Sequence, residues 1–187
     1  QILGGLQRSD LIVLAARPSL GKTSLALDFA RNAARSGHPV AFFSLEMSRE
    51  DLMDRLLASE AVVDIWRLRT GHLRSEGEDN DFARLQEAMA KLADLPLFLD
   101  DTGAPTVMEL RAKARRLQAE HKLDLVVVDY LQLVRGSGRS ENRVQEVSEL
   151  SRTLKAMAKE LNVPVLAISQ LSRGIENRPS SEPKLSD

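Results

Sequence analysis

Short runs of apolar residues alternate along this chain with longer stretches in which apolar residues recur every three or four positions. Runs of the first kind are typical of buried parallel strands, and the spacing of the second kind is typical of helices that pack one face on a sheet. The runs occupy residues 11–15, 40–44, 97–100, 123–129 and 163–169. This alternation predicts an α/β fold, with a mostly parallel sheet and helices on both of its faces.

Signals for the ends of helices fall where this pattern needs them. A helix predicted over residues 23–35 is followed by Gly37, a residue type that is common just beyond a helix end. Ser48 and Thr106 each stand three residues before an acidic side chain, a spacing typical of helix N-termini. Residues 64–71 are predicted to form a short helix or turn. The helix before the third strand is expected to bury the apolar stripe Phe82, Leu85, Met89 and Leu92.

Composition and charge exclude several classes of protein. Of 187 residues, 43% are apolar and 28% are charged, and the formal net charge is −1. This balance argues against a uniformly basic protein that coats nucleic acid, so any contact with DNA would be local. The chain contains no cysteine and therefore no disulfide framework. No apolar run approaches the roughly 18 residues of a membrane span and no signal peptide is visible, so we expect a cytoplasmic protein without a membrane partner.

The length is that of one domain. We expect a single domain over residues 1–187, truncated at its C-terminal end and forming a piece of a larger protein. Residues 174–187 are rich in proline, serine and charged residues and lack apolar periodicity, so we expect them to be mobile.

The segment between the first predicted strand and the first predicted helix fits the phosphate-loop pattern G-x-x-x-x-G-K-[ST], with alanine in place of the first glycine. A strand, a loop and a helix in this order aim backbone N–H groups and the positive helix end at one point, where phosphates bind favourably. Lys22 is expected to reach the β- and γ-phosphates, and the Thr23 hydroxyl is expected to hold Mg²⁺. Alanine at position 16 is tolerable only if the backbone there needs no positive φ. The residues expected to contact the nucleotide are Ala16, Arg17, Pro18, Ser19, Leu20, Gly21, Lys22 and Thr23.

Four polar residues follow predicted strands at their carboxyl ends, namely Lys22, Glu46, Asp129 and Gln170. Ligands of parallel α/β sheets bind at that edge, so we expect the four side chains to converge. A nucleoside triphosphatase must hold Mg²⁺ and position a water in line with the γ-phosphate. Asp129 is the expected second Mg²⁺ residue, Glu46 is a candidate general base, and Gln170 is a candidate sensor of the γ-phosphate. On spacing alone, Asp129 could instead cap a turn and Glu46 could simply begin a helix.

Four segments taken together resemble the signature segments of the DnaB-type replicative DNA helicases. They are residues 15–23, 44–48, 129–133 and 169–173, which stand in the family's order, and the resemblance extends over residues 4–187. It implies a RecA-like P-loop NTPase core that binds ATP and Mg²⁺ and assembles as a homo-hexameric ring around single-stranded DNA. Primase and a helicase loader are the further partners that the resemblance implies.

The resemblance also implies roles for individual residues. Glu46 becomes the catalytic glutamate, and Gln170 joins it and Lys22 in the catalytic set by coupling the γ-phosphate to DNA. The loop after the fourth strand matches the position of a DNA-facing central loop, and its glycines, serines and arginines suit that role. The residues expected to contact DNA are Arg135, Arg139, Asn142, Arg143 and Arg173.

Several parts of that family have no counterpart in this sequence. Family members carry a helical N-terminal domain that contacts primase, and they continue with a second DNA loop and an arginine finger. Such a finger is worth on the order of 10³–10⁵ in rate. We therefore expect this chain alone to bind nucleotide and to hydrolyse it poorly.

Three other functions are compatible with the same loop. The first is a RecA-like recombinase or clock-type ATPase without strand separation. The second is a P-loop small-molecule kinase, for which Arg67, Arg69 and Arg74 would have to line a closing lid. The third is a non-enzymatic ring subunit in which nucleotide only stabilises the interfaces.

Overall fold

The computed structural model describes residues 4–75, 80–103, 105–129 and 143–171, with backbone only for 143–147. The predicted alternation of strands and helices is confirmed throughout these ranges. The strands are β1 (Leu11–Ala16), β2 (Val40–Ser44), β3 (Leu97–Asp100), β4 (Leu125–Asp129) and β5 (Val165–Gln170). The helices are α1 (Lys22–Arg35), α2 (Arg49–Ala61), α3 (Ile65–Thr70), α4 (Asp81–Ala93), α5 (Val107–His121) and α6 (Arg143–Leu161). No helix in the described ranges combines the length and apolarity needed to cross a membrane.

The strands form one parallel sheet in the order β1-β5-β4-β2-β3. Their register aligns the carboxyl ends, because Ala16 pairs with Gln170 and Ser44 pairs with Asp129. Strand β4 lies at the centre, and all five of its residues are buried. The residues that follow β1, β2, β4 and β5 therefore meet at one edge of the sheet.

Helices cover both faces of the sheet, as the sequence predicts. Helices α1 and α2 pack on one face and α5 and α6 pack on the other. In β2, Phe42 points into the first of these layers and Phe43 into the second, and both are almost fully buried. Burying a side chain of this size contributes roughly 1.5–3 kcal/mol. A third, smaller cluster joins α2 to α4 through Ala61, Val63, Leu85 and Ala88.

Side chains cap four of the helices at their N-termini. The capping residues are Ser48 for α2, Asp64 for α3, Asn80 for α4 and Thr106 for α5. Thr106 forms a complete capping box with Glu109, as its spacing predicts. The Ser48 Oγ accepts a hydrogen bond from the Asp51 N–H and donates one to the Asp51 carboxylate. A complete capping box would instead have this carboxylate accept from the Ser48 backbone N–H. An N-terminal cap of this kind is worth about 1 kcal/mol.

Two sequence expectations about burial are wrong. Strand β1 pairs only with β5 among the described strands, so it lies at the edge of the sheet and Val13 is 52% exposed. In α4, Phe82 and Met89 are more than half exposed. This helix packs mainly on α2 through Leu85 and Ala88, and only its last turn reaches the sheet layer, through Leu92. A helix that packs on one other helix buries a narrower stripe than a helix that lies on a sheet.

Candidate nucleotide-binding site

The loop between β1 and α1 presents uncapped backbone N–H groups at a helix N-terminus. Gly21 precedes the helix with φ of 80°, and no side chain caps the first turn, which also lacks acidic residues. The helices α2 to α5, by contrast, each begin with a side-chain cap. The first N–H groups of a helix have no partner inside it, so those of α1 are left for an anion.

The backbone of the loop explains why alanine is tolerated at the first position of the motif. Ala16 is the last residue of β1, and it is not among the residues with positive φ. The left-handed turn instead falls at Ser19, with φ of 62°, and at Gly21. The Ala16 carbonyl accepts a hydrogen bond from the Leu171 N–H at 3.1 Å, which joins the start of the loop to the end of β5.

Lys22 lies beside this loop. Its Nζ donates a hydrogen bond to the Arg17 carbonyl at 3.4 Å. The ammonium group therefore lies over the same turn whose N–H groups are available for an anion.

Thr23 and Asp129 meet directly, as the sequence predicts for a shared metal site. The Thr23 Oγ1 donates a hydrogen bond of 2.6 Å to Asp129 Oδ2. Asp129 is only 1% exposed, and its second oxygen, Oδ1, has no hydrogen-bond partner in the described part of the chain. A buried carboxylate oxygen without a partner is costly, so this atom is available for a ligand.

The surroundings of Asp129 shift the pKa of its carboxyl. Burial raises the pKa of the Asp129 carboxyl above its ordinary value, and the negative charge of Glu46 raises it further. The hydrogen bond from Thr23 and the positive charges of Lys22 and Arg55 oppose this rise in pKa. Two carboxylates and two cations thus act on one another at the end of β4.

A divalent cation of the Mg²⁺ type fits Thr23 and Asp129. Mg²⁺ is usually bound through one or two carboxylates together with phosphate oxygens and water. Among the described residues, no three His, Asp or Glu side chains cluster as metal ligands. An ion at this place would therefore take its remaining ligands from phosphate and water rather than from the protein.

Glu46 lies in the loop between β2 and α2 and is exposed to solvent. The fully buried Ser44 organises this loop, because its Oγ donates to the Met47 carbonyl at 2.8 Å and accepts from the Met47 N–H at 3.2 Å. The Leu45 N–H donates to the Asp129 carbonyl at 2.6 Å. These bonds tie the loop to the end of β4, so Glu46 approaches the metal position from the side of β2.

Gln170 ends β5 in register with Ala16, and it is half-buried. It therefore lies next to the beginning of the phosphate loop. Asp129 and Gln170 end β4 and β5, and Lys22 and Glu46 follow β1 and β2. The carboxyl ends of these four strands share one edge of the sheet, as the sequence predicts.

Arg55 lies next to these residues, although no motif in the sequence points to it. This residue of α2 donates from Nη1 to the Ser24 Oγ of α1 at 3.3 Å, and its charge acts on Asp129. In the sequence, Arg55 is only a charged residue next to the apolar Leu56 in a predicted amphipathic helix. Many surface residues show the same pattern, so it does not indicate a functional role.

The residues expected to contact DNA stay predictions. Arg135, Arg139, Asn142 and Arg173 lie outside the described residues, and of Arg143 only the backbone, at the start of α6, is described. Residues 174–187 also lie outside the described ranges.

Two of the three arginines that a kinase lid would require, Arg67 and Arg69, have carboxylates next to their guanidinium groups. Arg69 pairs with Asp51 and with Asp54, which joins α3 to α2. Arg67 lies 4.0 Å from the Asp81 carboxylate, which also accepts a hydrogen bond from the Arg74 N–H. These contacts join α3 and the segment after it to α2 and α4.

A parallel sheet whose first strand leads through a phosphate loop into an uncapped helix, with an aspartate at the end of the central strand, defines a RecA-like P-loop NTPase domain. Comparison with known proteins is more specific. The family model described as "DnaB-like helicase C terminal domain" matches residues 1–187, so the chain belongs to this family, whose members are ATP-hydrolysing helicases.

Individual relatives agree with this assignment. The chain is 51% identical to the replicative DNA helicase DnaB of Geobacillus stearothermophilus, over 100% of the chain and 41% of that relative. It is 52% identical to the replicative DNA helicase DnaB of Synechocystis sp., over 98% of the chain and 21% of the relative. A solved structure of a DnaB-like replicative helicase and its interactions with primase superposes with a TM-score of 0.90 at 32% identity, covering 98% of this chain and 44% of the other. The chain thus spans less than half the length of each of these proteins.

Proposed function

We propose that this chain is the ATP-hydrolysing motor domain of a replicative DNA helicase, which couples hydrolysis to movement along single-stranded DNA in a homo-hexameric ring. The observation that carries the proposal is the Thr23–Asp129 hydrogen bond, with the unpartnered Asp129 Oδ1 beside the uncapped start of α1. Family membership and the two relatives named as replicative helicases support the same function.

In this proposal the triphosphate lies along residues 16–23. The N–H groups at the start of α1 bind phosphate oxygens, and Lys22 leaves the Arg17 carbonyl to contact the β- and γ-phosphates. Thr23 and Asp129 would hold Mg²⁺. When bound, Mg²⁺ supplies neutralisation of the charge that develops on the phosphates.

Glu46 is the proposed general base. It is exposed, so water reaches it, whereas the buried Asp129 is engaged by Thr23. Glu46 accepts a proton from a water that attacks the γ-phosphorus, and the bond from phosphorus to the β–γ bridging oxygen breaks. The Ser44 hydrogen bonds to Met47 hold the loop that carries this glutamate.

Gln170 is the proposed link between hydrolysis and DNA. Its place at the end of β5, in register with Ala16, puts it beside the phosphate loop and next to the residues that follow β5. Loss of the γ-phosphate would change its hydrogen bonding and so shift Arg173. The further DNA contacts are assigned to Arg135, Arg139, Asn142 and Arg143.

Partners follow from the same proposal. We expect the assembled protein to interact with primase and with a helicase loader, and to act in the cytoplasm. The interaction with primase is stated for the DnaB-like structural neighbour, which supports this part of the proposal.

Replacing Glu46 with glutamine tests the catalytic step. In the assembled protein, Glu46→Gln is expected to reduce ATP turnover by about 10²–10⁴, the contribution typical of a general base, and to leave ATP affinity nearly unchanged. Steady-state phosphate release and binding of a fluorescent ATP analogue measure the two quantities.

Glu50→Gln is the matched control, because Glu50 is exposed in the first turn of α2. Turnover by the control should equal that of the original protein. Unchanged turnover in Glu46→Gln would contradict the assignment of Glu46 as the general base, and ATP binding without turnover in the original protein would favour the non-enzymatic ring subunit.

A further inference from the structure

Arg55 joins the two helices that follow the phosphate loop and the Glu46 loop. It lies on α2, and its Nη1 donates a hydrogen bond to the Ser24 Oγ in the first turn of α1 at 3.3 Å. Ser24 is the residue after Thr23, so this contact reaches α1 next to the hydroxyl that bonds Asp129. The first turn of α1 is thus held from β4 on one side and from α2 on the other.

Arg55 differs from the other arginines between α1 and α2. Arg31 pairs with Asp28 and Glu60, and Arg35 also pairs with Glu60, so their charges are neutralised within the interface. Among the described residues, no carboxylate forms an ion pair with Arg55, and its Nε, like that of Arg31, is buried without a hydrogen-bond partner. Burying part of a guanidinium without a carboxylate is unfavourable for stability alone.

Arg55 lies near the proposed metal site, because the Ser24 that it contacts follows Thr23, whose hydroxyl bonds Asp129. Arg55 also lines a cavity of about 270 Å³ between α1, α2 and the start of α3, together with Ser24, Asp28 and Ser59. The hydrogen bond to Ser24 is its polar contact with α1 among the described residues.

We propose that Arg55 is a positioning residue that fixes the first turn of α1 through Ser24, so that the Thr23 hydroxyl faces Asp129 in the geometry that Mg²⁺ requires. The proposal rests on the proposed function, because it assigns Arg55 a task in Mg²⁺–ATP binding. Mg²⁺ demands near-ideal octahedral geometry, so a small displacement of Thr23 weakens its contribution. A misplacement of about 1 Å can cost as much as 10²-fold in a catalytic site.

A positioning role and a purely electrostatic role of Arg55 predict opposite effects on the affinity for Mg²⁺. A cation near the Mg²⁺ position repels the ion, so a purely electrostatic Arg55 would weaken Mg²⁺ binding, and its removal would strengthen it. A positioning Arg55 strengthens Mg²⁺ binding through Thr23, and its removal weakens it. The quantity that separates the two is the Mg²⁺ enhancement, defined as the ratio of ATP affinity with Mg²⁺ to ATP affinity with EDTA.

The test measures the Mg²⁺ enhancement with a fluorescent ATP analogue at pH 8, on this chain and on the variants Arg55→Gln and Ser24→Ala. Both variants are expected to lower the Mg²⁺ enhancement about fivefold, the effect of losing one ordinary hydrogen bond. The double variant should resemble Arg55→Gln alone, since both changes remove the same bond. Affinity in EDTA should fall less than affinity with Mg²⁺.

Arg69→Gln is the matched control, since this arginine also joins two helices but pairs with Asp51 and Asp54 at the surface, away from α1. Its Mg²⁺ enhancement should equal that of the original chain. An unchanged or increased enhancement in Arg55→Gln, or an unchanged one in Ser24→Ala, would overturn the proposal. Equal losses with Mg²⁺ and with EDTA, accompanied by a lower melting temperature, would also overturn it, because they indicate a merely structural role. If neither the original chain nor Arg69→Gln binds ATP, the proposed function fails instead.

Discussion

At the residue scale, Asp129 carries most of what the site can do. It is buried at the end of the central strand, it accepts the Thr23 hydroxyl, and one of its oxygens is unpartnered among the described residues. Burial raises the pKa of its carboxyl because the charged form is poorly solvated there. An ionised carboxylate in this position stabilises a bound cation and destabilises the fold without one.

The substitution Asp129→Asn tests this conflict between stability and function. At neutral pH in EDTA, the variant is expected to be more stable by about 1 kcal/mol, because it removes a buried charge with an unsatisfied oxygen. Because the folded pKa is raised, the native state takes up a proton before the unfolded state does as pH falls. The stability advantage of the variant should therefore shrink toward acidic pH. Denaturant unfolding between pH 4 and pH 8 checks both points.

Asp101→Asn provides a control of opposite sign. The Arg49 N–H donates to the half-buried Asp101 and lowers the pKa of its carboxyl, so this charge stabilises the folded chain. The control should be less stable than the original chain at neutral pH, with a difference that disappears as pH falls through the lowered pKa. A destabilised Asp129→Asn at neutral pH would contradict the account of Asp129.

At the element scale, α2 ends in a conformation that its sequence does not favour. Val62 follows the helix with φ of 53°, and its side chain is exposed. A β-carbon in the left-handed region costs roughly 1–2 kcal/mol, and a branched side chain is least suited to it. Glycine is the usual residue at this position of a helix end.

Val62→Gly is expected to stabilise the chain by about 0.5 kcal/mol. Relief of the left-handed backbone exceeds the roughly 0.4–1 kcal/mol that glycine costs through a freer unfolded chain. Val62→Ala keeps the β-carbon and should gain little. Urea unfolding with an unchanged m-value measures the effect, and a less stable glycine variant would show that Val62 contributes packing that its exposure does not reveal.

Local pattern predicts the strands well, because the apolar runs are short, buried and bounded by turn residues. Local pattern does not predict the exposure of Val13, Phe82 and Met89, because their exposure depends on which element packs beside them. The residues of the candidate site also fall into those that local pattern predicts and those that depend on packing. The phosphate-loop motif and the strand ends predict Lys22, Thr23 and Asp129, whereas Arg55 becomes visible only when α2 packs on α1.

At the scale of the whole molecule, one sheet edge gathers residues that lie far apart in sequence. Parallel register brings the ends of β1, β5, β4 and β2 together, so a loop near the start of the chain meets Asp129 and Gln170. Such an arrangement suits a ligand with several phosphate groups, each bound by a different element.

The most direct test of the account is the affinity of this chain for ATP in the presence of Mg²⁺, measured by calorimetry for the original chain and for Lys22→Ala. The account predicts a loss of at least about tenfold, since a charge-assisted bond to phosphate disappears, with an unchanged melting temperature. Lys91→Ala, which removes an exposed lysine paired with Glu87 on α4, should bind ATP as the original chain does. Equal ATP affinity of Lys22→Ala and the original chain would contradict the central claim that the loop before α1 binds the triphosphate.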